Sequence, residues 1–252
     1  MRIMKWLAVA IITLWAMGCG TTAQVTDCQC PDPSEVETAA KAQTAPVPHV
    51  SAKLDFKPGI AIVLPAPQKS GGMPLLETIA MRHSVREFGR DMLSLEQLSS
   101  MLFAAHGITR PENNKRSTPT AMNWQGMEIY VSTATGLFVY DAEAHSLAPV
   151  QKDDIRATTG KQPFVATAPV NLIYVSDYSR MEIADETQKS RYAAAHAGFI
   201  SQNVYLYCTS EGLATVVRAY YDEEALHAAM KLPETKHIVL AQTVGFPAKE
   251  AQ

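Results

Sequence analysis

The sequence predicts an α+β domain. Helical and strand patterns do not alternate strictly along the chain, a β-hairpin falls in the middle, and a near-continuous apolar run from Ala168 to Ser176 reads as one buried central strand. No internal repeat competes with this reading. A length of 252 residues suffices for one domain with a real core and some excess chain. The formal net charge of −3 gives no reason to expect a nucleic-acid partner, which needs a basic face.

The first residues stand apart from the fold. Arg2 and Lys5 precede "WLAVAIITLWAM", an apolar run of signal-peptide length and short for a membrane span. It ends at "AMGC", Ala16 to Cys19, small residues before a cysteine as in a bacterial lipobox, although Ala16 stands where leucine is usual. This divides the chain into a signal peptide over 1–19 with Cys19 as the lipidated residue, a tether over 20–58 and a folded domain over 59–252. Cleavage after Ala23 and an uncleaved anchor are the competing readings, and all three export the domain. The tether is rich in Thr, Ala, Pro, Gln and acidic residues and holds no apolar period. Cys28 and Cys30 lie in it, too close together for an unstrained disulfide, and four cysteines do not make a disulfide scaffold.

Within the domain, "GIAIVLPAP" (59–67) is an arm or edge strand closed by prolines, and "KSGGMP" is a turn. "MPLLETIAMR" forms a short amphipathic helix with Leu75, Leu76 and Ile79 on one side. Ser94 opens a stronger helix with a capping box to Gln97, and Gly107 stops it. "MEIYVS" and "LFVYD" are strands joined at "TATG". The longest helix runs from about Thr187 to Glu211 with Gly212 just past its end. It is apolar around most of its circumference (Ala193 to Ala195, Phe199, Val204, Leu206) and so predicts burial on more than one side. Cys208 within it is a buried, inert thiol. "LATVVRAY" is a strand, Asp222 caps a helix with Glu223 and Glu224 in its first turn, and "HIVLAQTVGFP" is the last strand.

Two clusters carry candidate chemistry. In "RHSVREFGR", an extended backbone puts Arg82, Ser84 and Arg86 on one face. Two guanidinium groups fork onto phosphate oxygens and a hydroxyl adds a third bond; charged residues after a helix also occur simply solvated. In "STPTAMNWQGMEIYV", a Pro-Thr turn leads through Asn123 and Gln125 into a strand. Amide side chains both donate and accept, which suits a ligand of carbonyls and ring nitrogens, and equally suits a polar loop. The seven histidines have no metal-ligand spacing, and GxSxG, GxGxxG and the phosphate-binding P-loop pattern are absent. Tyr220 and Tyr221 end a strand, where aromatic residues serve core or interface more often than a pocket.

In this order, "RHSVREF", the capped helix, "PTAMNWQ", "QPFVATAPVNLIYVS", "AHAGFISQNVYLYCTSEGLAT" and "VGFP" resemble the nitroreductase family of FMN-dependent oxidoreductases, from about Met73 to Lys249. "LPAP…GGMPL" and "HGITRP" resemble the branch with the thiazole- and oxazole-forming peptide dehydrogenases. The resemblance implies a mostly antiparallel central sheet flanked by helices, and a homodimer with FMN between subunits. It implies that Arg82, Ser84 and Arg86, with His83 beside them, hold the FMN phosphate and ribityl chain. Pro119, Thr120, Asn123 and Gln125 would lie along the flavin edge, and the backbone of Gly212 and Leu213 would approach the isoalloxazine. Lys249 would reach the phosphate. Thr120 replaces the family's serine and keeps its hydroxyl, and Gly126 stands at the family's proline position. No side chain is expected to be catalytic, because flavin N5 carries the hydride chemistry between small-molecule donor and acceptor. NAD(P)H is the usual donor in the family, but reduced nicotinamide is scarce outside the cytoplasm. A flavin- or partner-binding exported lipoprotein without turnover, and a peptide or small-molecule dehydrogenase independent of NAD(P)H, stand as the alternatives.

Overall fold

The chain is described here as a computed structural model that covers residues 54–182 and 184–248. Cys19, Cys28, Cys30, Lys249, the signal-peptide segment and all of the tether up to residue 53 lie outside the described residues.

A seven-stranded, wholly antiparallel sheet forms the centre. Its strands are β1 (Ile62–Val63), β4 (Met127–Thr133), β5 (Gly136–Asp141), β6 (Ser146–Gln151), β7 (Val170–Asp177), β8 (Ala214–Arg218) and β9 (Lys236–Gly245), in the order β1-β6-β5-β4-β7-β9-β8. A separate ribbon pairs β2 (Ile108–Arg110) with β3 (Lys115–Arg116). The expected hairpin is β4–β5, closed by the Thr133–Gly136 pair. Gly136 has φ +143°, and a Cβ there would meet the Gln151 carbonyl at 2.6 Å, so no other residue fits. The run expected to be a central strand is β7, flanked by β4 and β9, and its apolar residues are buried on both faces.

Alternation along the strands divides the core. Ile129, Val131, Leu172 and Tyr174 face one cluster with Leu98, Met101, Leu102, Ile200 and Val204. Tyr130, Ile173 and Val175 face the other, with Leu226, Met230 and Ile238. The helices follow: α1 (Leu75–Met81), α2 (Leu95–His106) and α3 (Glu186–Ser210) belong to the first side, and α4 (Glu223–Met230) covers the second. Ser94 and Gln97 form the expected capping box on α2. Asp185 and Gln188 form another on α3, and Asp222 caps α4 through Ala225 N–H. At the end of α3, Leu213 N–H donates to Cys208 O at 2.7 Å and Gly212 N–H to Thr209 O at 3.4 Å, with Gly212 at φ +67°. This left-handed termination turns the chain directly from helix into β8.

Three expectations change. Leu54 is buried and Phe56 packs at 5.8 Å on Phe138, so packing begins inside the segment assigned to the tether. Leu75, Leu76 and Ile79 do share a side of α1, yet that side is exposed. Of the apolar residues on α3, Ala193 and Val204 are buried, whereas Ala194, Ala195 and Phe199 are exposed, Phe199 by 45%. One chain covers only part of the circumference.

Candidate functional site

The basic element starts where α1 stops. Arg82 takes φ −57° and ψ 123°, which ends the helix and extends the chain. Val85 N–H then donates to Thr215 O on β8, Gly89 N–H to Phe246 O and Ala248 N–H to Glu87 O. The segment is thus laid between β8 and the residues after β9. Arg82 and Ser84 meet the same side chain on α3. The Ser84 and Tyr205 hydroxyls are 2.8 Å apart, and the Arg82 guanidinium lies 5.1 Å from the Tyr205 ring centroid. Tyr205 is itself fixed, because its oxygen accepts from Val217 N–H at 3.0 Å. Arg86 is exposed, and among the described residues neither arginine forms an ion pair. His83 is exposed and turns its Nδ1 to the Met81 carbonyl. Arg90 is exposed.

The amide element begins after Pro119 and Thr120. Ala121–Asn123 form a single tight turn in which Met122 has φ 47° and Asn123 φ 56°; Gln125 follows at φ 49°. Three non-glycine residues in the left-handed region within four positions are costly, so their surroundings must impose them. Gln125 is clamped. Its Oε1 accepts from Arg116 Nε at 3.0 Å, and its Nε2 donates to Asn114 O at 2.8 Å and to Asn123 Oδ1 at 3.1 Å. Its N–H reaches Thr120 Oγ1 at 3.4 Å. Below the turn, Ala121 N–H donates to His196 Nε2 on α3 at 2.8 Å, and Trp124 packs edge-on against Tyr192 at 5.4 Å.

Both elements therefore anchor on α3, nine residues apart, at His196 and Tyr205. At 1.5 Å and 100° per residue this is about 13 Å along the axis and about 180° around it. Between them runs an exposed stripe of Tyr192, Ala195, Phe199 and Gln202. A cavity of about 640 Å³ opens near the C-terminal end of the helix, lined among others by Gly71, Gly72, Asn203, Tyr207, Ser210 and Glu211. Burial holds the Glu211 carboxyl above the ordinary carboxylate range. Asn203 donates to Ala104 O at 2.8 Å and ties α3 to α2. Gly212, next to this cavity, has open space where a Cβ would stand, so a flat group has room to approach its backbone. Tyr221 packs into the second core cluster, while Tyr220 is exposed with Lys161 over its ring. The buried Cys208 thiol is pushed well up by desolvation.

Four residues went unread in the sequence: Tyr205, His196, Arg116 and Arg218. Arg218 is buried in β8 without a carboxylate partner among the described residues. It donates to Thr159 O and Oγ1, Asn171 Oδ1 and Thr243 Oγ1, and desolvation lowers its guanidinium to about 10. A lone arginine in an apolar strand was the signal for Arg218, and polar side chains within a largely apolar helix were the signal for His196 and Tyr205; Arg116, inside a polar stretch, carried none.

With this geometry in view, a family model described as the Nitroreductase family matches residues 79–246. A curated protein of Methanocaldococcus jannaschii assigned to the nitroreductases is 34% identical over 171 residues, 64% of this chain and 85% of the relative. A crystal structure from Ralstonia eutropha, likewise assigned to the nitroreductases, is 35% identical with a TM-score of 0.73. The alignment covers 81% of this chain and all (100%) of that one. An Escherichia coli microcin synthetase complex with truncated pro-MccB17 bound contains a chain of the same fold at 17% identity and TM-score 0.59, covering 90% of this chain and 86% of that one.

Proposed function

Since the chain belongs to the nitroreductase family of oxidoreductases, we propose that it is an FMN-dependent enzyme acting on small organic molecules, built as a homodimer and carried outside the cytoplasm. The observation that carries the cofactor reading is the pair Arg82 and Arg86. They are two guanidinium groups without carboxylate partners among the described residues, one on each side of Ser84 in the strand-like segment that pairs with β8 just after the open Gly212 turn, with Arg82 and Ser84 meeting at Tyr205. Such a set fits a phosphate next to a planar ring.

In this reading Arg82, Ser84 and Arg86 hold the phosphate, and the Gly212–Leu213 backbone lies against the ring. Asn123 and Gln125 offer amide groups to its polar edge, with Gln125 first releasing its bonds within the chain. When bound, FMN supplies the redox step, a hydride accepted at N5 from one substrate and passed to the next in a ping-pong cycle. The protein's own contribution is orientation and exclusion of water. Tyr205 fixes the phosphate-binding serine from below, His196 fixes the amide turn, and the apolar wall around Leu206 and Tyr207 shapes the adjoining cavity.

The dimer reading rests on the exposed apolar surface. Leu75, Leu76, Ile79 and Met81 on α1 and Tyr192 and Phe199 on α3 are left open in one chain. The two site elements stand on opposite sides of α3 with the exposed stripe between them. A second copy docked on that stripe would bring its amide element towards the first copy's arginines. The lipidated Cys19 and a membrane tether are supported by the N-terminal pattern alone. That same export pattern favours a second reading, a dehydrogenase of a peptide or small molecule that draws on a donor other than NAD(P)H.

The test is spectroscopic. The purified full-length protein is examined for flavin absorbance, then mixed with NADH, NADPH and a nitroaromatic acceptor. A yellow protein bleached by a nicotinamide and reoxidised by the acceptor supports the enzyme. A yellow protein reduced by neither nicotinamide moves the assignment to the second reading or to a non-catalytic flavin carrier. A protein that cannot be reconstituted with FMN overturns the proposal.

A further inference from the structure

The start of the amide turn is tied to α3 through one buried imidazole, and this defines a role for His196. We propose that His196 is the positioning residue of the Asn123–Gln125 turn, acting as a neutral acceptor for Ala121 N–H, with His106 as a second neutral imidazole beneath the same loop. The functional meaning of that turn rests on the FMN reading above; its geometry does not.

The hydrogen-bond roles follow from chemistry. An imidazole nitrogen that accepts carries a lone pair, so the single ring proton of neutral His196 is on Nδ1. That Nδ1 is buried without a protein partner, as is His106 Nε2, and both residues are nearly inaccessible at 3% and 4% exposure. His106 meets the same loop from α2, its Nδ1 2.9 Å from Thr118 Oγ1. The Ser117 hydroxyl is a third buried group there with no protein partner. Three orphaned polar atoms under one loop suit ordered water. His106 on α2 and Tyr192 on α3 itself stand near His196, and the Arg116 charge on β3 acts on His106. Among the described residues no carboxylate acts on His196, and burial moves its pKa below the ordinary histidine value.

Protonation makes Nε2 a donor pointed at another donor, Ala121 N–H. The bond that ties the start of the turn to α3 is then lost, and Met122 and Asn123, at φ values of 47° and 56°, lose that restraint, while Gln125 keeps its bonds to Arg116, Asn114 and Thr120. Relaxation of Met122 and Asn123 shifts the Asn123 amide and frees the neighbouring Trp124 from Tyr192. His196 thus confines the assembled turn to pH values at which it is neutral.

Trp124 supplies the readout. In the full-length chain carrying Trp6→Phe and Trp15→Phe it is the only tryptophan. On acidification, the Trp124 emission of the flavin-free protein should shift to the red with a midpoint below pH 6.5, before far-UV circular dichroism is lost. His196→Gln, whose Oε1 accepts from Ala121 N–H without titrating, should keep the neutral-pH emission and lose the transition. His196→Phe should show red-shifted emission already at neutral pH. FMN affinity should fall about tenfold in His196→Phe, the worth of about one hydrogen bond, and recover in His196→Gln. A wild-type protein without the transition, or a His196→Gln protein that keeps it, overturns the proposal whether or not His196→Phe folds. If the transition behaves as expected but FMN never binds, the positioning role stands and the cofactor reading fails.

Discussion

Acidification should destabilise this domain through His106, and the size of the effect can be worked out. His106 is 4% exposed, and its pKa is lowered to about 3 by burial first, then by the Arg116 charge and by His196. In the unfolded chain it titrates near 6.5. Below that value the unfolded state binds a proton that the native state refuses, so stability rises with pH across this range. The contribution is complete above about pH 6.5 and drains away as pH falls towards 3. Between pH 7 and pH 5 the loss is about 2 kcal/mol, at ~1.36 kcal/mol per unit of separation. For a domain of this size that lowers Tm by about 4–8 °C. The assay compares thermal melts of wild type and His106→Asn at both pH values. Asparagine places an amide atom where Nδ1 meets Thr118 and does not titrate. The smaller side chain costs stability at every pH, so the diagnostic quantity is the difference between the two pH values. The variant should lose about 2 kcal/mol less on acidification than wild type. Equal pH dependence in the two proteins would refute the reasoning.

Three further outcomes are expected. Arg82→Ala with Arg86→Ala should abolish FMN retention while thermal melts still show a folded domain; unchanged flavin content would mean that the phosphate lies elsewhere. Phe199→Glu puts a charge into the exposed apolar stripe of α3. It should shift the protein from dimer to monomer in sedimentation and lower FMN occupancy with it, and a dimer that persists would place the interface on another face. Cys19→Ser should move the protein from the membrane to the soluble fraction, and unaltered fractionation would argue against lipidation.

Much of the fold was legible because it depends on local pattern. Ser94 with Gln97, Asp222 ahead of two glutamates and Gly212 after a long apolar helix are short-range devices, and each stands at its expected place. The hairpin and the central strand followed from alternation and from an apolar run bounded by turns. The start of packing was not legible. Leu54 and Phe56 are two apolar residues in a polar stretch, and the distant core they join, Phe138 against Phe56 among it, is what draws them in.

At the site the division is sharper. Sequence alone determined that Arg82, Ser84 and Arg86 alternate, that two amides precede a strand, and that the order of these elements matches one family. These facts need nothing beyond neighbours in the chain. Tertiary structure decided what holds them: Tyr205 under Ser84 from 121 residues away, and His196 under Ala121 from 75 residues away. It also decided that the two elements lie on opposite sides of α3 and that Phe199 faces outward. The physical reason is that side-chain spacing specifies which face a residue takes, whereas the partner on that face is set by how separate elements pack, and a single polar residue in an apolar helix does not announce which loop it will hold.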